Sequence, residues 1–248
     1  MNAKHLFLIL GYFFLLGLGM GNRLAYPQEI SAAAEWSLFT TLPPAPVEQT
    51  TAYTTQNPAG DVLLPVVGDM LLAHVNKTYT LPPDYVPPDL VLLTGVPAAR
   101  PEYLRSRVLP YFYQLYGAAR EAGYQLSVVS AYRSYAIQAA TFSYWVGQYG
   151  YPAAVMGSAR PGHSEHQLGT AVDLGLAGKP WPTGFSQDPA AGWVGQNAHK
   201  FGFVISYPKG KTSVTGYIWE PWHIRFVGVE LATKLYEQGL TLEEYLSR

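Results

Sequence analysis

Two short groups in the 248-residue chain collect residue types able to hold a cation: Ser164-Glu165-His166-Gln167-Leu168-Gly169-Thr170-Ala171-Val172-Asp173 and Glu220-Pro221-Trp222-His223. His166 and Asp173 could ligate one ion from a turn and the strand that follows it, and His223 would complete a His/Asp/His set. Catalytic zinc takes three protein ligands from His and carboxylates and keeps a fourth position open, so this count suits catalysis and is one short of a closed structural site. Two neutral imidazoles and one carboxylate leave positive charge on the metal, which acidifies water and polarises a carbonyl oxygen. Glu220, three residues before His223, is then free to move a proton. The spacing alone is a weak signal. What strengthens it is Asp173, a lone carboxylate inside an apolar strand, where burial demands a partner.

Several elements must position these residues. Gly169 to Leu176 (GTAVDLGL) reads as a short apolar strand, and Gln125 to Tyr132 as a core strand bounded by Gly123 and by Arg133-Ser134. Ser134 then caps a helix running to about Gln148. Apolar residues from Tyr103 to Ala122 recur at helical spacing, which predicts an amphipathic helix kinked at Pro110 and stopped by Gly123. Pro189 to Phe201 reads as helical, Phe203 to Tyr207 and Tyr217 to Trp219 as strands, and Val227 to Gln238 as a closing helix followed by Thr241 to Leu246. Residues 75–101 carry Pro82, Pro83, Pro87, Pro88, Pro97 and Pro101, which suits an extended segment lying on a domain. The order is mixed α+β rather than repeating βαβ.

Composition narrows the partners. With 16 Lys+Arg against 17 Asp+Glu, a net charge of -1 and no long basic run, nucleic acid is not expected as a partner. The absence of cysteine excludes disulfides, thiolate zinc sites and a cysteine nucleophile, so any metal must be held by His and carboxylate. Residues 6–22 form an uncharged apolar block after Lys4 and His5, a secretory signal or a short membrane anchor. A spanning helix needs about 20 apolar residues, so the block is marginal as an anchor. Gly19-Met20-Gly21 offers a weak cleavage site. Residues 40–60 hold six Thr, four Pro and one charge and read as tether. The expected organisation is therefore a signal or anchor over 1–25, a flexible linker over 26–70 and a folded domain over 71–248, beginning near Leu71.

SEHQLGTAVDLG (164–175) and EPWHIRFVG (220–228) resemble the two zinc motifs of VanY-type D-alanyl-D-alanine carboxypeptidases, zinc peptidases that trim bacterial cell-wall peptides. The resemblance extends to VNKTYTLPPDYVPPDLV (75–91), SAYRSYAIQ (130–138) and FGFVISYPKGKTSVTGY (201–217). It implies one Zn2+ on His166, Asp173 and His223, with Glu220 as catalytic base and acid. It also places Arg133, Gln138 and Ser164 in the substrate pocket, where an arginine fork suits a terminal carboxylate and can stabilise a developing oxyanion. The implied fold is α+β, with a small, mainly antiparallel sheet bearing the zinc site and flanked by helices. The implied activity is removal of the terminal D-Ala from peptidoglycan stem peptides. An L,D-carboxypeptidase acting on the tetrapeptide and a catalytically silent cell-wall binding module are the alternatives. A monomer is expected, exported to the periplasm or cell envelope and either cleaved or tethered to the membrane through residues 6–22. His163 is not used by the family motif, and Glu165, although within it, reads as structural.

Overall fold

The computed structural model describes residues 60–179 and 181–248. The expected signal or anchor over 1–25 and most of the 26–70 linker lie outside the described residues. Among the described residues no helix is long and apolar enough to cross a membrane.

Among the described residues, Asp61 and Val62, upstream of Leu71, already make long-range contacts. Strand β1 (Val62–Leu63) lies parallel to β2 (Tyr79–Thr80). Asp61 accepts two hydrogen bonds from the buried Arg160 guanidinium, at 2.9 and 2.7 Å. Local composition carries no trace of that long-range ion pair. Strands β3 (Leu90–Leu92) and β4 (Tyr103–Arg105) form an antiparallel pair within and just beyond the proline-rich stretch.

The helix expected from Tyr103 starts later, as α1 (Leu109–Glu121), and Tyr103–Arg105 belongs to β4. Pro110 falls in the first turn, where no intrahelical N–H is required, so it starts the helix rather than kinking it. Strand β5 (Leu126–Ser130) leads into α2 (Tyr135–Tyr149), whose cap Ser134 accepts from the Ile137 N–H, and α3 (Tyr151–Gly157) follows. A 3-10 turn over Glu165–Leu168 precedes β6 (Ala171–Leu176). Then come α4 (Thr183–Ser186), α5 (Pro189–Asn197), β7 (Phe203–Ile205), α6 (Thr212–Thr215), β8 (His223–Phe226), α7 (Val229–Gln238) and α8 (Leu242–Leu246). Tyr217–Trp219 is not a strand. The Ile218 N–H donates to Met156 O on α3, so this stretch bridges to a helix instead of joining the sheet.

The main sheet runs β5-β6-β8-β7 with every neighbouring pair antiparallel, the α+β arrangement expected. Side chains alternate across β6 and β8. Val172, Leu174 and Ile224 enter the core with Phe112 and Leu115 of α1, Val194 of α5 and Phe203 of β7. Asp173 and His223 therefore share the other face, and they are direct cross-strand partners. A register shift between Val128 and Ser130 sets Ser130 opposite Asp173 on the far side. Gly175 permits the β5-β6 approach there, since a Cβ would lie 2.8 Å from Ser127 Oγ and 2.9 Å from Val129 Cγ2.

Candidate active site

His166, Asp173 and His223 offer ligand atoms that lie within 4.8 Å of one another, and all three side chains are buried. His166 Nε2 is 3.1 Å from Asp173 Oδ2, and His223 Nδ1 is 3.0 Å from Asp173 Oδ1. The two imidazoles meet edge to face, with centroids 4.9 Å apart. Burial holds His166 below its ordinary value, which favours the neutral form that ligation requires. Burial would raise Asp173, but His166 and His223 outweigh it and keep the carboxyl ionised. Burial also pulls His223 down; its hydrogen bonds to Asp173 and Glu165 prevail and push it up to about 10.

Each ring also has its other nitrogen engaged. His166 Nδ1 lies 2.6 Å from Ala131 O, and His223 Nε2 lies 2.9 Å from Glu165 Oε2. With both rings pinned from behind and a carboxylate between their inward nitrogens, the set fits a single divalent cation of the kind that imidazole and carboxylate prefer.

The turn bearing His166 is held by its backbone. Ser164 accepts from the His166 N–H at 3.4 Å, His166 O accepts from the Arg133 N–H at 3.2 Å, and the turn closes on Gly169 at φ 67°. Buried Glu102 supports the same corner, accepting from the Ala131 N–H at 2.7 Å while paired with Arg100.

Arg133 lies between the site and α2. Its Nη2 is 2.8 Å from Ser130 Oγ and 3.4 Å from Asp173 Oδ2, and its Nη1 donates to Gln138 Oε1 at 2.8 Å. The Arg133 side chain keeps 15% exposure, whereas Gln138 has none and spends its amide on Ala159 O and Ser158 Oγ. The structure thus places Gln138 behind Arg133, holding the guanidinium. Ser164 is buried as a cap, within the turn that carries His166.

Glu220 lies in the loop before β8, within electrostatic influence of His223 and Asp173. Its N–H donates to Tyr207 O and its C=O accepts from the His223 N–H, a turn that brings Glu220 and His223 together. At 8% exposure, burial pushes its carboxyl up to about 8, with His223, Lys77 and Arg133 pulling the other way and Asp173 adding to the rise.

Two groups near this region were not singled out by spacing. Lys77 has its ammonium 3.2 Å from the Tyr217 ring centroid and hydrogen-bonded to Val155 O, and burial lowers it to about 7. Buried Arg225 donates to Glu165 at 2.7 Å. His163 turns away from the cluster, with Nδ1 2.8 Å from Asn76 O. Trp222 packs against Trp181 at the edge of the core, and Trp219 is exposed beneath Lys209.

A guanidinium poised beside a cation-binding triad, with a buried carboxyl group within electrostatic reach, suits hydrolysis next to a terminal carboxylate. The sequence model of one family, VanY D-alanyl-D-alanine carboxypeptidase, matches residues 101–229. A D-alanyl-D-alanine carboxypeptidase of Enterococcus faecalis is 38% identical over 224 residues, covering 84% of this chain and 80% of that one. Among solved structures, the LdcB LD-carboxypeptidase superposes with a TM-score of 0.69 at 37% identity, covering 77% of this chain and 92% of its own. A VanY D,D-pentapeptidase variant from a VanB-type vancomycin resistance cassette, in complex with Zn(II), gives 0.62 at 38% identity, covering 71% and 98%. The chain belongs to the VanY family of D-alanyl-D-alanine carboxypeptidases.

Proposed function

We propose that this protein is a zinc-dependent carboxypeptidase that removes the terminal D-alanine of peptidoglycan stem peptides outside the cytoplasmic membrane. The observation that carries the reading is the convergence of His166, Asp173 and His223 with Arg133 at 3.4 Å from the same aspartate. The Zn(II) complex of the related D,D-pentapeptidase supports zinc as the ion. When bound by these three residues, the ion supplies Lewis acidity at the scissile carbonyl and acidifies water.

The remaining work falls to the chain. Glu220 takes the proton of the attacking water and returns it to the leaving amine, a task suited to a carboxyl whose affinity for protons burial has raised. Arg133 binds the terminal carboxylate of the substrate, with Gln138 and Ser130 fixing the plane of its guanidinium. Ser164 orders the turn that presents His166, and a substrate contact through its hydroxyl is part of the proposal.

The LdcB likeness favours a second reading, L,D-cleavage of the tetrapeptide. Product analysis with the full chain, with zinc and then with chelator, separates the two on a muramyl pentapeptide ending in D-Ala-D-Ala and on the matching tetrapeptide. Chelator-sensitive loss of one D-alanine from the pentapeptide alone supports D,D-cleavage, and loss from the tetrapeptide alone supports L,D-cleavage. No release from either, with zinc bound, points to a silent cell-wall binding module. Export through residues 6–22 and a monomeric state belong to the same proposal and are checked by cell fractionation and light scattering.

A further inference from the structure

His166 and His223 turn opposite nitrogens toward Asp173. His166 presents Nε2, with Nδ1 spent on a backbone carbonyl, while His223 presents Nδ1, with Nε2 on Glu165. An imidazole can ligate through one nitrogen only if the proton resides on the other, and the partner of that other nitrogen decides which it is. At His223 the partner is a carboxylate, which also strengthens the ring as a donor.

Glu165 is itself locked. Its Oε2 accepts from Ser206 Oγ at 2.6 Å, its Oε1 accepts from Arg225 Nη1 at 2.7 Å, and its side chain keeps 6% exposure. Arg225, buried in β8 two residues after His223, is fixed in turn by Leu71 O and Ala73 O, at 3.2 and 2.8 Å. The Tyr207 ring packs on His223 with centroids 4.8 Å apart, closing another side of the imidazole. A carboxylate beside a ligand and held this firmly cannot swing inward to become a fourth ligand.

We propose that Glu165 is a positioning residue: it holds the Nε2 proton of His223 so that Nδ1 faces the cation, and Ser206 and Arg225 hold Glu165 in place. The inference rests on the zinc reading above. It connects the segment around Leu71–Ala73, through Arg225 and Glu165, to the metal centre, and assigns a role to a residue that the motif alone leaves looking structural.

The test is zinc affinity by chelator competition, together with the visible absorption spectrum of the cobalt-substituted protein, on the full chain. Glu165→Gln keeps size and removes the charge, and the expected loss is roughly 10–100-fold in zinc affinity with a shifted cobalt spectrum. Ser206→Ala, which disturbs only one hydrogen bond to Glu165, is expected to weaken zinc binding less but in the same direction, and it keeps the test decisive should Glu165→Gln fail to fold. Glu243→Gln serves as a control, because this acid bonds His74 and Asn76 rather than His223 and should leave affinity and spectrum unchanged. Parent-like affinity and spectrum in Ser206→Ala and in any folded Glu165→Gln overturn the inference while leaving the zinc reading intact. An equal loss in the Glu243 control also overturns it, since the effect would then follow from removing any carboxylate charge. A parent protein that binds no zinc removes both.

Discussion

At the scale of single residues, the site is a balance of buried charges. Glu220 sits where burial raises its carboxyl, and the neighbouring cations only partly oppose that rise. Replacing it with alanine should leave zinc content at one ion per chain by atomic emission while lowering kcat by roughly 10²–10⁴-fold, the usual range for a lost general base. As the proposed base, Glu220 works only when ionised, so kcat/KM should fall as pH drops through its pKa. That limb should lie below about 8, because a bound cation favours the carboxylate, and it should vanish from the residual profile of Glu220→Gln. His223 gives a second pH signature. Between two carboxylates it retains both ring protons at neutral pH in the metal-free state, so binding zinc must expel the Nδ1 proton. Zinc affinity should consequently rise about tenfold per pH unit from this one group, up to about 10, with proton release visible in calorimetry across buffers of different ionisation enthalpy.

At the scale of elements, the site depends on how a turn and two strands meet. The 3-10 turn over Glu165–Leu168 ends on Gly169 in the left-handed region, and its carbonyl accepts from the Arg105 N–H of β4. A Cβ at Gly169 would come within 2.9 Å of Leu90 Cδ2 and 3.0 Å of Arg105 Cγ. Gly169→Ala should cost roughly 1–3 kcal/mol in denaturant unfolding, from the strained φ together with the clash, and should weaken zinc binding because the same turn carries His166. The paired strands explain why a sequence scan finds Asp173 and His223 fifty residues apart yet the fold sets them face to face. The antiparallel register of β6 and β8 makes them direct partners.

At the scale of the whole molecule, the segment before the sheet is fastened to the catalytic half by charge. Arg160 grips Asp61 with both Nη atoms and also donates to Lys77 O at 2.8 Å, while Leu71 and Ala73 accept from Arg225. Breaking a buried pair by deleting one partner costs about 3–5 kcal/mol, and the partial exposure of Asp61 places Arg160→Ala toward the lower end. Limited proteolysis should then show earlier cleavage between residues 60 and 81 than in the parent, and parent-like cleavage would mean that the β1-β2 pairing and apolar contacts hold the segment without the ion pair.

Much of this could be read in the residues themselves. The ligand types and their spacing, Ser134 as a cap, the core strands around Val128 and Val172 and the resemblance in the two motifs are local properties, written in side-chain chemistry and in apolar periodicity. Asp173 announced a partner because a charge in an apolar strand is unstable without one. Long-range geometry is of another kind. The β4 pairing that displaces the start of α1, the absence of a strand at Tyr217–Trp219, the clamp on Asp61 and the choice of Nδ1 over Nε2 at His223 all depend on groups 11 to 154 positions away, such as Leu92 for Tyr103 and Leu71 for Arg225. Periodicity registers which face of an element is apolar, whereas a buried hydrogen bond is satisfied by whichever donor the packed chain brings near. The identity of the candidate ligands therefore lies in the sequence, and their orientation lies in the packing around them.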